Sequence, residues 1–591
     1  MNDPSPVPSP EQSDQSDGEH LGSWKEIATY VKRDVSTVQR WEKREGMPVH
    51  RHVHAKRGSV YALSSELDLW LKSRRAELDG ESSNGASGSE QAARPLSSPY
   101  WKWIAGIGLL CVFLGAAAYI KNRQSATVVP AARIDSLAVL PLQNLSGDPS
   151  QEYLADGMTE ALIGRLSKIR HLRVISRTSV MRFKNTHDSV PEIAKALRVQ
   201  AVVEGSVIRE SGRIRVNIQL IRASSDEHLW AESYDRELRD ALSLESELAQ
   251  SIAAKVAVTI TGEEQTSLAK ARQVSPEVYE NYLKGRFSLS QSRSEQGVQQ
   301  SIHHFEEAIE KDPAFAPAYL GLATAYESLS TVLVGAAPPE IRAKVVNHAR
   351  KALELDPDSA EAHVLIAITQ QQEWHWAEAE AEYKLALQLS PNEALAYDKF
   401  AWWFLCQGRT EEALSMARRG RELDPLAVSG TTIGWILFQS HRYEEAIHEL
   451  TTVLAVQPDD VDAHWYLGFA LIANGKPGDA IPHLEKAVTL SKRSPGTLGL
   501  LTRAYAHAGR RADALRLLAE LKQRNQRAYV PAGAFVNAYL GLGDNERALT
   551  WLERAYEEKS NILQWIKVHP YFDPLRDDPR FSDLIHRVGL D

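Results

Sequence analysis

The sequence has almost no cysteine and none of the short motifs that are typical of enzymes. Only two of its 591 residues are cysteines, so no disulfide framework is available and cysteine usage does not indicate a redox compartment. It has no glycine-rich phosphate loop followed by Lys-Ser/Thr, no zinc-protease helix motif, no nucleophile elbow and no cysteine pairs at metal-binding spacing. The sequence therefore predicts no catalytic residues, no metal and no other cofactor.

The chain also has few segments in which charges of one sign predominate. The chain has 68 Lys and Arg against 77 Asp and Glu, a formal net charge of −9. Residues 21–80 alone hold twelve basic and eight acidic side chains, so the rest of the chain sums to about −13. The segment near the N-terminus is thus the basic part of an otherwise acidic protein.

A length of 591 residues suggests about four domains.

Long hydrophobic runs are absent with one exception, WKWIAGIGLLCVFLGAAAYI at 101–120. Its uncharged part is roughly 26 Å long at about 1.5 Å per residue, close to the hydrocarbon thickness of a bilayer. Aromatic residues and lysines flank it, as at headgroup levels. The pattern predicts one transmembrane helix over 100–121. The alternative, a buried helix of a soluble domain, is disfavoured because the linker-like sequence on both sides offers nothing to bury it.

The first eighty residues divide into an arm and a small domain. Residues 1–20 are rich in proline, serine and acidic residues, which predicts a disordered arm. Two short amphipathic patterns follow, WKEIATYV and STVQRWEKREG, with Ser23 and Ser36 as the expected N-caps. Two helices joined by so few residues make a helix-turn-helix. The remaining sequence predicts a strand pair around KRG and a third helix, which completes a winged helix-turn-helix over 21–79.

The segments SWKEIATYV, VSTVQRWEKREGMPVHRH and KRGSVYAL resemble the MerR-like, excisionase-type DNA-binding domains over about 22–75. That family usually has a glycine in the turn, where this chain has Lys32, Arg33 and Asp34. Outward polar side chains suit base edges and cations suit phosphates. The expected DNA-binding residues are Ser36, Thr37, Gln39, Arg40 and Lys43 of the second helix and Lys56 and Arg57 of the wing. The alternative is a protein-binding domain with a solvated charged face.

The location of the chain is predicted from the linker and the hydrophobic run together. Residues 80–99 read as a flexible linker. Charges flanking 100–121 do not determine orientation, but a DNA-binding domain must face the cytoplasm. We therefore expect a single-pass protein of the bacterial inner membrane, in contact with the lipid bilayer, with extracytoplasmic C-terminal domains. Small residues at intervals of three or four predict a homodimer contact within the span: Ala105, Gly108, Cys111, Gly115 and Ala118. The alternative is that small residues are simply common in membrane helices.

Strand and helix patterns alternate over 134–262, which predicts a small α/β domain. The segment AVVEGSVIRESGRIRVNIQLIRA predicts a hairpin that turns at ESG. The stretch resembles the small α/β domain, like the N-terminal domain of TolB, that bacterial regulators carry before tetratricopeptide repeats. Asp156-Gly157 and Glu204-Gly205 recur in such domains, and we interpret them as turns rather than as catalytic residues.

Internal repetition is the strongest pattern in the chain. Prolines that end helices stand at 313, 357, 391, 425 and 458, at intervals of 44, 34, 34 and 33 residues, which is the tetratricopeptide period. A small residue precedes an alanine by twelve positions in each unit, as in Ala401 and Ala413, so two antiparallel helices can pack closely. We count eight units over 275–591, the second with an insertion of about ten residues. The ending HPYFDPLRDDPRFSDLIHRVGL resembles the capping helix of such arrays.

The expected fold class is multidomain: a small winged helix-turn-helix, one transmembrane helix, a small α/β domain and an all-α tetratricopeptide superhelix. The concave groove of such an array binds a protein or peptide, and its tryptophans are interpreted as helix–helix core rather than as groove lining. The order of segments resembles the ToxR/CadC-like membrane-integrated regulators, whose N-terminal domain is of a different, OmpR type. The sequence thus predicts a non-enzymatic transcription regulator that binds double-stranded DNA and senses a ligand or partner. The alternative is a membrane-tethered scaffold whose N-terminal domain binds protein.

Overall fold

The computed structural model divides the chain into two compact units, Met1–Ala126 and Thr127–Asp591. The residues that it describes are 20–51, 60–80, 134–256, 260–269, 272–291, 294–332, 339–426 and 429–591. The arm predicted over 1–20 lies almost entirely outside them, and the linker predicted over 80–99 does so from its second residue onward.

The first unit, called the N-terminal unit below, is described over 20–51 and 60–80. Its helices are α1 (Trp24–Tyr30), α2 (Val35–Glu45) and α3 (Ser64–Gly80). Its strands are β1 (His20–Leu21), β2 (His50–Arg51) and β3 (Val60–Leu63), antiparallel in the order β1-β3-β2. Eight apolar side chains form the core between helices and sheet, and Ile27, Val38 and Leu67 are fully buried in it.

The expected transmembrane helix is corrected by the structure, and the expected fold class and inner-membrane location are corrected with it. Among the described residues, no helix is long and apolar enough to cross a bilayer. The longest have 17 residues, whereas a spanning helix needs about 20 apolar ones. The architecture is largely helical, with an α/β region and a repeat superhelix. The segment 100–121 lies outside the described residues, as do the residues expected to associate within it: Ala105, Gly108, Cys111, Gly115 and Ala118.

The second unit begins with an α/β region built on one mixed sheet. The strands are β4 (Ser136–Val139), β5 (Gln143–Asn144), β6 (Arg173–Val174), β7 (Ala201–Glu210), β8 (Arg213–Arg222) and β9 (Glu227–Glu237). They follow the order β6-β4-β7-β8-β9, with β5 paired to β7. The helices are α4 (Glu152–Leu166), α5 (Arg177–Val180), α6 (Val190–Leu197), α7 (Ala241–Lys255) and α8 (Gly262–Ala269). The predicted hairpin is confirmed, since Ser211 and Gly212 have φ of 50° and 78° in a tight turn between β7 and β8.

The two carboxylate–glycine pairs are not turns, contrary to the sequence interpretation. Asp156-Gly157 lies within α4 and Glu204-Gly205 within β7. Both glycines allow close approach instead. A Cβ on Gly157 would lie 2.4 Å from Cδ2 of Leu283, and one on Gly205 would lie 2.2 Å from a backbone oxygen of β8. A carboxylate next to a glycine does not distinguish a turn from a close packing contact, because glycine is favoured in both.

In the described part of 272–591, sixteen helices form the eight antiparallel pairs that the sequence period predicts. The first helices of the pairs are α9 (Pro276–Gln291), α11 (Ala316–Val332), α13 (Ala360–Gln372), α15 (Ala394–Cys406), α17 (Ser429–Gln439), α19 (Val461–Ala473), α21 (Pro495–His507) and α23 (Ala532–Gly541). The second helices are α10 (Glu295–Lys311), α12 (Pro339–Leu355), α14 (Trp376–Leu389), α16 (Thr410–Leu423), α18 (Tyr443–Val456), α20 (Pro477–Leu490), α22 (Arg511–Asn525) and α24 (Asn545–Glu557). Small residues sit where the helices of a pair cross, as the sequence indicates. A Cβ on Gly434 would lie 2.5 Å from Cγ of Leu450.

First helices of successive repeats contact one another, so they form the inner, concave layer. The last residues fold as two 3₁₀ turns (Asn561–Trp565 and Pro570–Leu575) and α25 (Pro579–Val588). As expected of a cap, α25 packs on the last repeat, where Arg580 pairs with Glu546 at 2.8 Å. It also reaches the third repeat, because the indole Nε1 of Trp376 donates to the backbone oxygen of Val588 at 2.8 Å. The C-terminal residues therefore close the array on itself.

The α/β region and the repeats share a continuous core. Across this junction the amide nitrogen of Asn392 lies 3.1, 3.0 and 2.9 Å from the backbone oxygens of Ser167, Ile169 and Leu172. The backbone N–H of Ser176 donates to the oxygen of Leu423 at 2.9 Å. These buried contacts make the second unit a single body.

Candidate functional site

The turn between α1 and α2 positions the residues expected to contact DNA. Lys32 has φ of 52°, a left-handed conformation most often taken by glycine. The backbone N–H of Arg33 then donates to the oxygen of Ala28 at 3.0 Å, which closes the turn. The chain thus reverses within a few residues and brings Asp34 to the start of α2.

Asp34, rather than the expected Ser36, caps α2. Its carboxylate accepts hydrogen bonds from the Ser36 hydroxyl at 2.5 Å and from the backbone N–H and hydroxyl of Thr37, each at 2.8 Å. These bonds, that of Ser36 first, hold the pKa of Asp34 well below its ordinary value. Aspartate and serine are similarly good caps, and the carboxylate prevails because it accepts all three donors at once. The hydroxyl protons of Ser36 and Thr37 are therefore directed at Asp34.

The outer face of α2 presents Gln39, Arg40 and Lys43 to solvent. Within the described residues, these three side chains make no hydrogen bond or ion pair with the protein. The opposite face is anchored: Val38 is fully buried, and the Trp41 ring lies against that of Trp70 on α3, 5.6 Å between centroids. A helix fixed on one side and open on the other can offer its polar side chains to an external partner.

The expected wing is described only in part. The strand pair β2 and β3 is present, but Lys56 and Arg57 lie outside the described residues. His50 on β2 has its Nε2 2.7 Å from Oε2 of Glu66. Over the part of the chain that the structure describes, no group of three His, Cys, Asp or Glu side chains is placed to hold a metal ion.

Buried titratable groups elsewhere stabilise contacts between elements. Glu245 accepts a hydrogen bond from the Tyr279 hydroxyl at 2.6 Å and faces Arg165 at 3.6 Å. Burial raises the pKa of Glu245. Asp156 pairs with Lys184 at 2.6 Å. These groups join the α/β region internally and to the first repeat, and their partners are other side chains of the protein.

Comparisons with known proteins identify two parts of the chain. Residues 132–254 match the family described as HilA/YgeH-like transcriptional regulator, second domain. Residues 431–496 and 471–531 match tetratricopeptide repeat families, which confirms the predicted repeats. The α/β region therefore matches a HilA/YgeH-like domain, and the resemblance to the N-terminal domain of TolB stays a prediction. The chain therefore carries a regulator domain joined to a tetratricopeptide array, while the MerR-like resemblance stays a prediction.

Two curated relatives resemble parts of the chain. A protein of Rhizobium meliloti (strain 1021) that carries the name adenylate cyclase 3 is 33% identical over 242 residues, 39% of this chain and 40% of that protein. Type IV pilus assembly protein PilF of Pseudomonas aeruginosa is 28% identical over 222 residues, 36% of this chain and 68% of PilF. The chain spans less than half the length of the first relative, so the activity in that name does not carry over. The matched families are a regulator domain and repeat scaffolds.

Solved structures are similar to part of the chain. That of Pseudomonas aeruginosa PilF is 20% identical with a TM-score of 0.30, and the match covers 40% of this chain and 98% of PilF. A structure of the human IFIT1 dimer with PPP-AAAA is 16% identical with a TM-score of 0.40, and the match covers 59% of this chain and 83% of that one. With TM-scores below 0.5, neither bears on the function of this chain.

Proposed function

We propose that the chain is a transcription regulator that binds double-stranded DNA through the outer face of α2 and a protein partner through its repeats. The observation that carries the DNA-binding proposal is the exposed set Gln39, Arg40 and Lys43 on a helix whose other face is anchored in a core. The HilA/YgeH-like domain over 132–254 supports a role in transcription. The tetratricopeptide match supports protein binding.

The geometry of α2 suggests which side chains contact DNA bases and which contact phosphates. Gln39 and Arg40 have the side chains best suited to adenine and guanine edges, whereas Lys43, as a point charge, suits a phosphate. Because Asp34 places a carboxylate at the start of α2, a phosphate there would be repelled. Ser36 and Thr37, whose protons point to Asp34, offer oxygens that accept from base amino groups. Lys56 and Arg57 are proposed to bind backbone phosphates.

The proposal is tested with the full chain. DNA fragments would be selected from a genomic library, and their binding would be measured by fluorescence anisotropy against random duplexes at several salt concentrations. We expect the selected fragments to bind about 10³-fold or more tightly than random DNA, with an affinity that falls as salt rises. Binding that is equal for both kinds of DNA, or insensitive to salt, would contradict the proposal and favour a protein-binding scaffold.

A two-fold dimer would present two copies of α2 to paired half-sites. Sedimentation of the full chain with a DNA of one selected half-site and of two gives the stoichiometry. Two chains on the paired site are expected. One chain on either DNA would contradict the homodimer while leaving DNA binding intact.

A further inference from the structure

One position recurs along the concave layer of the array. It follows directly the small residue at which the helices of each pair cross, and it returns at intervals of 34, 33, 34, 34 and 34 residues. All of its members lie on first helices, so their side chains form one row, called the groove row. From the third repeat to the eighth, the groove row is Ile368, Trp402, Trp435, Phe469, Arg503 and Asn537.

The groove row is covered by the chain itself. Residues 561–575, called the resident segment, run along it in the order of the repeats. The ring contacts, given as distances between centroids, are Trp402 with Trp565 at 4.8 Å, Trp435 with His569 at 5.5 Å and Phe469 with Tyr571 at 4.9 Å. Leu563, Phe572 and Leu575 of the resident segment are buried. The groove therefore has an occupant that fits its apolar shape.

The resident segment does not satisfy the hydrogen-bond donors of the groove row. Arg503 is 6% exposed, and its guanidinium lies over the Tyr571 ring, 3.3 Å from the centroid. Within the described residues, Nε and Nη1 of Arg503 have no acceptor, and neither do the indole nitrogens of Trp402 and Trp435. The nearby carboxylate of Asp573 bonds Arg576 instead, at 2.7 Å. The wall of the groove thus carries donors that its own occupant leaves unmet.

The charge on Arg503 makes this mismatch costly. Burial lowers the pKa of Arg503 to about 10, so the side chain remains protonated at neutral pH. The Asp573 carboxylate is near enough to favour the cation but makes no hydrogen bond to it. Burying a cation without a hydrogen-bonded counter-ion is unfavourable, and buried donors without acceptors add to that cost. An acceptor of negative charge at this position would relieve it, whereas the Tyr571 ring supplies only a weak attraction to its face.

We propose that the groove row is the docking surface for an extended acidic segment of a partner protein, with a carboxylate on Arg503, and that the resident segment competes for the same surface. The inference rests on the proposed role of the repeats in protein binding and adds the class of partner and its regulation. A partner whose carboxylate meets Arg503 gains a charged hydrogen bond that the resident segment does not make. Occupancy then depends on the balance between the two segments.

The test uses three fluorescent peptides with the sequence of residues 561–577: unchanged, with Tyr571→Glu, and with Tyr571→Lys. Anisotropy measures their binding to the full chain, and hydrogen exchange measures the opening of the chain's own resident segment. We expect the glutamate peptide to bind about tenfold more tightly than the unchanged one and the lysine peptide more weakly than both. Exchange in the chain's own 561–575 should quicken as the glutamate peptide binds.

Matched variants assign the effect to one side chain. In Arg503→Gln the preference for the glutamate peptide should disappear, while the unfolding temperature should not fall, because a buried cation whose Nε and Nη1 lack acceptors has been removed. Arg516→Gln, an exposed arginine on α22 outside the groove, should leave the preference unchanged. Equal binding of the three peptides to the unaltered chain, or a preference that survives Arg503→Gln, would overturn the proposal.

The tethered segment competes at a high effective concentration, so the measurement is repeated in Trp376→Phe, which loses the hydrogen bond to Val588. The peptides should all bind more tightly there, in the same order. If they do not compete even in this variant, the resident segment is a permanent part of the core and the groove proposal is wrong. DNA binding by α2 is measured separately, and its loss or survival does not depend on this outcome.

Discussion

The N-terminal unit and the repeat array relate their cores to their proposed binding surfaces in opposite ways. In the N-terminal unit, eight buried side chains form one small core, and Gln39, Arg40 and Lys43 lie wholly outside it. In the array, the apolar members of the groove row belong to the core and also to the proposed docking surface, because the resident segment covers them. Exposure therefore identifies the candidate site in the first region. In the repeat array, only the buried hydrogen-bond donors without acceptors identify the candidate site.

Truncation of a fully buried leucine should separate the two regions most strongly. Leu67 in α3 and Leu450 in α18 are both fully buried, and Leu→Ala at such positions costs roughly 2–5 kcal/mol. The N-terminal unit has little other core, so we expect Leu67→Ala to unfold it and abolish DNA binding. Leu450→Ala should lower the unfolding temperature of the array and leave DNA binding unchanged. Calorimetry and anisotropy measure the two effects, and full DNA affinity in Leu67→Ala would contradict the comparison.

Two glycines of α4 test whether the array and the α/β region are one body. Gly157→Ala drives a methyl group into buried Leu283 and should cost about 1–3 kcal/mol, whereas nothing lies within 4 Å of a Cβ on Gly164. Gly164→Ala should therefore stabilise by about 0.5–1 kcal/mol through helix propensity. Urea unfolding gives both values. Similar effects of the two substitutions would show that Leu283 does not pack tightly on α4.

Substitutions on α2 test which side chains of the N-terminal unit read bases. Arg40→Ala and Gln39→Ala should each lose roughly 1–3 kcal/mol on the selected DNA and much less on random DNA. Lys56→Ala should weaken both kinds of DNA alike. Lys25→Ala, an exposed lysine on α1, serves as the control of equal charge. Equal losses on both DNAs for all three changes would place the recognition surface elsewhere.

The smallest expected effect is a pH dependence confined to the N-terminal unit. The folded state lowers the pKa of Asp34, so its carboxylate stabilises the unit above the ordinary aspartate pKa, and this contribution is lost as the pH falls through the lower, folded-state pKa. Asp34→Asn keeps an acceptor for the cap but cannot titrate. The unaltered chain should be the more stable of the two near neutral pH, and the difference should shrink in acid. A difference that does not change with pH would show that the charge of Asp34 is unimportant.

Local patterns in the sequence predicted much of the fold. The period of 34 residues placed the helix pairs, because each pair is stabilised mainly by its own crossing and by its neighbours. The hairpin followed from ESG, where two residues must take positive φ. The cap of α2 was assigned to the wrong residue because two good caps stand two positions apart, and only the folded turn shows which accepts the bonds. Of the expected site, Gln39, Arg40 and Lys43 lie together on one exposed face, while the protons of Ser36 and Thr37 are directed at Asp34.

Arg503 was missed although a signal for it exists, since it is a charged residue at a repeat position otherwise held mostly by large apolar side chains. Whether a charged residue at this position is buried depends on what covers it, and Tyr571, which covers Arg503, lies 68 residues further along the chain. No local pattern connects the two. Likewise, the sequence predicted that the C-terminal residues cap the array, but not that residues 561–575 lie along its groove.

By itself, the sequence determined the helix pairs, their close crossings and the polar face of α2, because each depends on residues a few positions apart. Only the tertiary structure decided that the array closes on its own C-terminal residues, through contacts such as that of Trp376 with Val588. Such contacts span up to 212 residues and join surfaces that are complementary only after every repeat has stacked with its own curvature. Spacing in a sequence records local geometry, whereas the position of a distant segment follows from the accumulated rotation of the whole array.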